Sequence, residues 1–288
     1  MISFAHGVSS QSPENAAFQH YVLVHANATT PLPDSLSFAQ GATLPTAIST
    51  AVMALVDVLG FAPPPISPSI SLPASNSTAD ENIILVWGGA SSGVGSMTIQ
   101  LARLSGFTVF TTASPTHHRR LENLGAEVVV DYHDPALAIS QLVNAAKERG
   151  KRIAHVVDAI SSAETLQSIV KILGHFQHPQ DASGDGNRDG DKEGVKGGKA
   201  KIAHTLAWPE DVAKPDWLQA RQVRGDELWT RREDLCDWLY GQALPTWLEE
   251  KTLVLSPERV VGKGVDAIQA GLRELQKGVS GEKLVVEI

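Results

Sequence analysis

The chain has 288 residues, room for about two domains of ordinary size. Its composition, 42% hydrophobic and 19% charged, excludes a wholly disordered or fibrous protein. Against 32 acidic residues stand 24 basic ones, a net charge of -8 that lacks the basic excess phosphate-backbone binding needs, so nucleic acid is not an expected partner.

Residues 1–10 carry no Lys or Arg ahead of an apolar run, unlike a secretory signal. Residues 18–26 (FQHYVLVHA) predict a strand, and Pro31 and Pro33 a turn behind it. Residues 37–42 and then 44–59 predict a closely packed, buried helix that stops at Gly60. The most apolar stretch, 47–61, contains Asp57 and is shorter than the ~20 residues that span a bilayer, so no membrane partner is expected. Residues 62–80, rich in Pro and Ser, predict a linker.

Residues 83–87 (IILVW) form a continuous apolar run, followed by a Gly- and Ser-rich turn at 88–95 and a helical stretch at 96–104. Strands are then predicted at 108–112, 127–131 and 153–158, with helices at 116–124 and 136–149 between them. Strands alternating with helices imply right-handed crossovers and a parallel, doubly wound α/β sheet. Residues 177–199 hold almost no apolar side chains and predict a mobile surface insertion. A strand at 200–206, a helix at 231–240 and a terminal strand at 284–288 complete the reading. Cys236 is the only cysteine, which excludes an intramolecular disulfide and a multi-cysteine zinc site and fits a reducing, cytoplasmic compartment.

The strand-turn-helix at 83–101 is the segment that carries chemistry. Small residues where a strand turns into a helix let a diphosphate approach the free N–H groups and the positive end of the helix dipole. The pattern is not a clean G-x-G-x-x-G, because with Gly95 in the last place the first two places hold Ala90 and Ser92. The next strand, 108–112, ends without Asp or Glu and is followed by Ser114, His117, His118, Arg119 and Arg120. An acidic residue there would bind the ribose hydroxyl of NAD and repel a 2′-phosphate, so its absence favours NADP. Short-chain dehydrogenases are excluded on mechanism, since none of Tyr21, Tyr132 and Tyr240 has a lysine four residues on.

AFQHYVLVHA (17–26), LPDSLSFAQGATLPTAISTA (32–51), WGGASSGVGSMTIQLA (87–102), LGAEVVVDYHDP (124–135) and the terminal GEKLVVEI follow one another as in a known family. In this order the chain resembles the medium-chain dehydrogenase/reductase superfamily, nearest its zinc-free quinone-reductase-like and trans-acting enoyl reductase branch. The resemblance implies a Rossmann-type sheet plus a GroES-like, β-rich substrate domain. It divides the chain into a substrate-domain remnant at 1–41, an NADP-binding domain at 42–230 and a return segment at 231–288. In that family the AFQHYVLVHA-type segment follows most of the GroES-like fold, whereas here it begins at Ala17. The substrate domain is therefore expected to be incomplete, with cofactor binding kept and catalysis impaired.

Residue by residue, the resemblance implies that Gly89, Ala90, Ser91, Ser92, Gly93 and Val94 line the diphosphate. It places Ser114, Pro115, Thr116 and His117 around the 2′-phosphate, Tyr132 beside the adenosine, and Leu173 and Gly174 near the nicotinamide. Leu44, Thr46, Ser49 and Thr50 would border the substrate. No catalytic residue is assigned, because hydride transfer can rest on positioning and on donors to a developing oxyanion. No metal is expected, since the segment Leu44, Pro45, Thr46 lacks the cysteine of zinc-dependent relatives. The implied activity is hydride transfer from NADPH to an enoyl, enone or quinone-type small molecule by a monomer or homodimer, with a polyketide-type synthase as partner by analogy. The alternative is a cofactor-binding protein without turnover, a partner or sensor.

Overall fold

The computed structural model describes residues 2–3, 13–67, 82–90, 93–177 and 199–288. A short antiparallel pair, β1 (Ile2–Ser3) and β2 (Thr29–Thr30), precedes the main sheet. That sheet contains β3 (Asn82–Trp87), β4 (Thr108–Thr112), β5 (Val128–Val130), β6 (Arg152–Asp158), β7 (Ala200–His204) and β8 (Leu218–Gln222). Its six strands lie in the order β5-β4-β3-β6-β7-β8, all parallel. In chain order this is third, second, first, fourth, fifth, sixth, the doubly wound arrangement whose switch point lies between β3 and β6.

The apolar run of β3 is continuous because both faces of the sheet are covered. Ile84 and Val86 enter one core, and Ile83, Leu85 and Trp87 enter the other. The first face is covered by α2 (Pro45–Val52), α3 (Gly93–Leu104) and α4 (His118–Asn123), while α1 (Phe38–Ala42) lies ahead of α2 and packs against the C-terminal strands. The second face is covered by α5 (Pro135–Glu148) and α6 (Ala163–Gly174), whose N-termini are capped by Asp134 and Ser162. Ser37 and Gln40 close a reciprocal capping box on α1, and Pro45 opens α2, where its missing N–H costs nothing.

After α2 the chain continues through a π-helical turn at Met53–Val58. The helical run Phe38–Val58, 21 residues, is longer than the apolar stretch read from sequence and has the length and composition of a membrane span, yet most of it is buried inside the molecule. At its end the nearly buried Asp57 carboxylate accepts bonds from Arg221, Arg231 and Arg232, tying α2 to β8 and to the helices that follow. Burial alone would raise the Asp57 pKa; the bonds from Arg231, Arg232 and Arg221 overcome it and hold the carboxyl below its usual range.

The C-terminal part holds α7 (Glu227–Thr230), α8 (Glu233–Trp238) and α9 (Leu244–Glu249), then β9 (Glu258–Lys263), α10 (Ile268–Gln276) and β10 (Lys283–Glu287). Leu235, Cys236, Leu239, Tyr240, Leu244 and Trp247 share a core with Ile84 and Val86, so residues 233–249 pack with the main sheet. Strands β9 and β10 pair in parallel, outside the main sheet, with α10 between them in the chain.

Residues 18–26 do not form the expected strand: they run through bends and irregular backbone with no partner strand among the described residues, leaving Tyr21 91% and Leu23 66% exposed. Helix α6, strand β8, strand β9 and helix α10 went unread in the sequence. The polar insertion lies outside the described residues apart from Gln177 and Lys199, as does the linker beyond residue 67.

Candidate functional site

The turn between β3 and α3 sits at the carboxyl edge of the sheet, beside the switch point. Gly88 has φ +80°, and its N–H donates to Thr112 Oγ1 at 3.1 Å, while Gly89 N–H donates to the Thr112 carbonyl at 3.1 Å. A side chain on Gly95 would collide with the Gly88 carbonyl, so only glycine lets α3 begin this close to β3. On Gly89 a Cβ would strike Thr111 Oγ1. Ser96 Oγ donates to the Gly89 carbonyl at 2.9 Å and fixes the turn against the first turn of α3.

The N-terminus of α3 faces a residue from the other end of the chain. A Cβ on Gly93 would lie 3.1 Å from Lys283 Nζ and 3.3 Å from Ala47 Cβ. Burial lowers the Lys283 pKa, and no carboxylate pairs with its ammonium among the described residues. A cation at the positive end of a helix dipole is repelled unless an anion lies between them. The arrangement therefore describes a place for a phosphate, and a dinucleotide diphosphate fits it.

Ser114, His117 and Tyr132 converge at the carboxyl ends of β4 and β5. Ser114 Oγ lies 3.4 Å from Tyr132 Oη, and His117 Nε2 lies 2.7 Å from Ser280 Oγ. The Tyr132 ring, partly exposed, stacks on His133 at 4.5 Å. Pro115 and Thr116 lie on the exposed turn ahead of α4. Gly89, Ala90, Gly93 and Val94 form the glycine turn and the start of α3; Ser91 and Ser92 lie outside the described residues.

Several expected residues are not brought to this edge. Leu173 and Gly174 end α6, a 12-residue helix that starts near the carboxyl end of β6 and runs about 18 Å back toward the amino edge of the sheet. Leu173 is a core residue there. His204 and Thr205, whose strand ends beside Asp158, border the crevice instead. Leu44 is buried, and the Ser49 hydroxyl is spent on Tyr240 Oη at 3.0 Å inside the core. Thr50 is also buried. Of the four, Thr46 alone is exposed, on a groove of about 630 Å³ whose walls include Phe18, Leu272, Leu275 and Lys283.

Asp158, fully buried at the end of β6, shapes the switch point. It accepts from the N–H groups of Ile160 and Ser161, both at 2.9 Å, and from Thr165 Oγ1 at 2.7 Å. Burial outweighs these bonds and raises its pKa. Lys283 and Ser280 are the residues that sequence reasoning missed. They are more than 180 positions from Gly93 in the chain, and only the lone lysine in the terminal GEKLVVEI hinted at them.

Cys236 packs in the core and donates its S–H to the Asn27 carbonyl at 3.4 Å, and burial pushes its thiol up to about 12. Among the described residues no three His, Cys, Asp or Glu side chains converge as a metal site would need.

Comparison with known proteins gives this geometry a context. A family model described as zinc-binding dehydrogenase matches residues 93–176. The trans-enoyl reductase tndF of Aspergillus flavipes is 34% identical over 280 residues, covering 96% of this chain and 71% of that protein. The enoyl reductase component lovC of the lovastatin nonaketide synthase of Aspergillus terreus is 32% identical over 287 residues, 96% of this chain and 72% of its own length. Among solved structures, the CurK enoyl reductase superposes with a TM-score of 0.63 at 17% identity, over 92% of this chain and 67% of that one.

Proposed function

Since the chain belongs to the medium-chain dehydrogenase/reductase superfamily, as an enoyl-reductase-like oxidoreductase, we propose that it carries hydride from NADPH to an activated double bond of an enoyl or enone substrate, or to a quinone, without zinc. The observation that carries the reading is the glycine turn at the switch point, with the Lys283 ammonium, unpaired among the described residues, facing the N-terminus of α3. Preference for NADPH is supported by the end of β4, where Thr112, Ala113 and Ser114 present no carboxylate to a 2′-phosphate. Zinc independence is supported by the thiol of Cys236, packed in the core with its proton retained.

When bound, a reduced nicotinamide dinucleotide supplies the hydride. The N–H groups of the first turn of α3 and the Lys283 ammonium hold the diphosphate. Ser114, His117 and Tyr132 take the adenosine end. Asp158 fixes the β6 to α6 turn, so the crevice floor is rigid before substrate arrives. Thr46, exposed on the groove, would donate to the carbonyl oxygen conjugated with the double bond, where negative charge builds as hydride adds. A polyketide-type synthase is the proposed source of the enoyl group, on the strength of lovC's description as a synthase component.

The test combines binding and turnover. Thermal unfolding with and without NADPH should show a rise in Tm, since a ligand of the folded state stabilises it. Loss of reduced-nucleotide absorbance on adding a short enoyl thioester should follow. Lys283→Met should weaken NADPH binding about tenfold, as expected for a lost charge-assisted contact. No Tm shift with either nucleotide sinks the proposal. A Tm shift without turnover favours the second reading, a nucleotide-binding protein, for which the solvent-open apolar groove beside Thr46 speaks.

A further inference from the structure

Among the described residues, two that are not glycine have left-handed backbone: Ser161 at φ +61° and Lys251 at φ +55°. Lys251 directly follows the last turn of α9, where such a conformation closes a helix, and its side chain is exposed. Ser161 has no such reason. It is buried in the turn from β6 to α6, at the carboxyl edge of the sheet. A residue with a Cβ is strained in this region and stays there only where its surroundings hold it. The Ser161 N–H donates to Asp158 Oδ1 at 2.9 Å, and its hydroxyl donates to the Asp158 carbonyl at 3.0 Å. The same oxygen accepts the Thr205 N–H at 2.8 Å and lies 3.2 Å from the Thr205 hydroxyl.

The proton and both lone pairs of the Ser161 hydroxyl are therefore used, so it has nothing left for a ligand. What it does is join the end of β6 to the residue that follows β7. Without it the Thr205 N–H would keep only the Asp158 carbonyl, at 3.2 Å. The chain beyond is tied to the same place, since His204 Nδ1 donates to the Leu206 carbonyl at 2.7 Å. The strand order sets Ser114, His117 and Tyr132 on one side of the glycine turn and Ser161 with Thr205 on the other. A dinucleotide whose diphosphate lies over β3 and whose adenosine lies over β4 and β5 extends its nicotinamide half over the ends of β6 and β7. We propose that Ser161 is a positioning residue for that half, its strained backbone placing the hydroxyl so that Thr205 and the loop after it form a fixed bed for the nicotinamide. Strain has a use at this point, because a ring that passes hydride must be held to within about 0.5 Å of its productive place. The inference rests on the cofactor reading above and adds the residue that orders the reacting end.

The test titrates the whole chain, as wild type, Ser161→Ala and Ser161→Gly, with NADPH and with 2′,5′-ADP, which lacks the nicotinamide, by calorimetry. The emission of the bound reduced nicotinamide is recorded alongside. Both variants lose the hydroxyl, and Ser161→Gly also relieves the strain, so it keeps the test open should Ser161→Ala fail to fold. In each the Kd for NADPH should rise about tenfold while that for 2′,5′-ADP stays within about twofold, and the emission should move from its wild-type position toward that of free NADPH. Equal losses for the two ligands assign Ser161 to the fold and overturn the inference. So does Ser161→Gly that matches wild type, since the hydroxyl would then have no part. No change in either variant, or wild-type emission equal to that of free NADPH, also overturns it and leaves the cofactor reading intact. Wild type that binds neither ligand removes both.

Discussion

The main sheet and the β9, α10, β10 unit are built from similar apolar strands yet differ in how they are covered. In β3 every side chain from Ile83 to Trp87 is buried, because helices lie on both faces. In β10, Leu284, Val285 and Val286 are only half-buried, Ile288 is 50% exposed, and the neighbouring groove remains open. The difference teaches that the proposed cofactor site rests on a self-sufficient core, while the wall that borders the substrate contributes little to holding the fold together. Lys283 and Ser280 join the two, since they belong to the open unit and reach the glycine turn and His117.

The sharpest way to break this contrast is to hollow the covered region. Leu85→Ala, deep in the second core, should cost about 3 kcal/mol in urea unfolding, through lost burial and the cavity left behind. A cost under about 1 kcal/mol would mean that the sheet is less tightly packed than its burial implies.

Asp57→Asn removes the charge that three arginines share at the edge of the same core. It should cost about 2 kcal/mol, less than for a fully buried pair because Arg221 and Arg231 face solvent. The wild-type carboxyl has its pKa lowered on folding, so its contribution is present above the ordinary carboxylate pKa and is lost as pH falls through the folded value. In Asp57→Asn that acid-sensitive part should be missing.

His155 on β6 gives a smaller, pH-gated effect. Its ring packs edge-on against Phe61 at 4.8 Å, its Nδ1 bonds nothing, and burial, then the charges of Lys201 and Arg152, lowers its pKa from 6.5 to about 4. The folded chain thus takes up this proton later than the unfolded one, so stability is lost as pH falls from 6.5 toward 4. His155→Phe should remove on the order of 1–2 kcal/mol of that decline between pH 6.5 and 5. Parallel curves for the two proteins would show that another group carries the acid limb.

The smallest effect belongs to the open unit. Leu275→Ser, at a side chain 54% exposed on α10, should change stability by less than about 0.5 kcal/mol. A cost approaching that of Leu85→Ala would show the groove to be covered in solution and erase the comparison.

Much of the sheet was legible because its signals are local. The strand at 108–112 was read with its bounds intact, since β-branched residues stand between Gly106 and Pro115. The helix read at 136–149 is α5, displaced by one residue from Pro135–Glu148 because the sequence reading did not use Asp134 as its cap and Pro135 as its first residue. Strand β8 was not, because Leu218–Gln222 (LQARQ) lies at the sheet edge and has no apolar run to announce it. Residues 18–26 misled in the other direction: they have strand composition but no partner to pair with among the described residues, and a strand exists only through its neighbour.

By itself the sequence determined the doubly wound class and the place of the glycine turn, because backbone sterics at Gly88 and Gly95 and the alternation of strands with helices act over a few residues. Tertiary structure alone decided which polar groups meet there. Ser49 was taken from the substrate edge by Tyr240, 191 positions away, and Leu173 was carried to the far end of its helix. Lys283 was delivered to Gly93, and Arg120 was set against Ser96 on the first turn of α3. Such meetings depend on how distant segments pack, and a charge's role is set by what lies within a few ångströms of it, which no local pattern encodes.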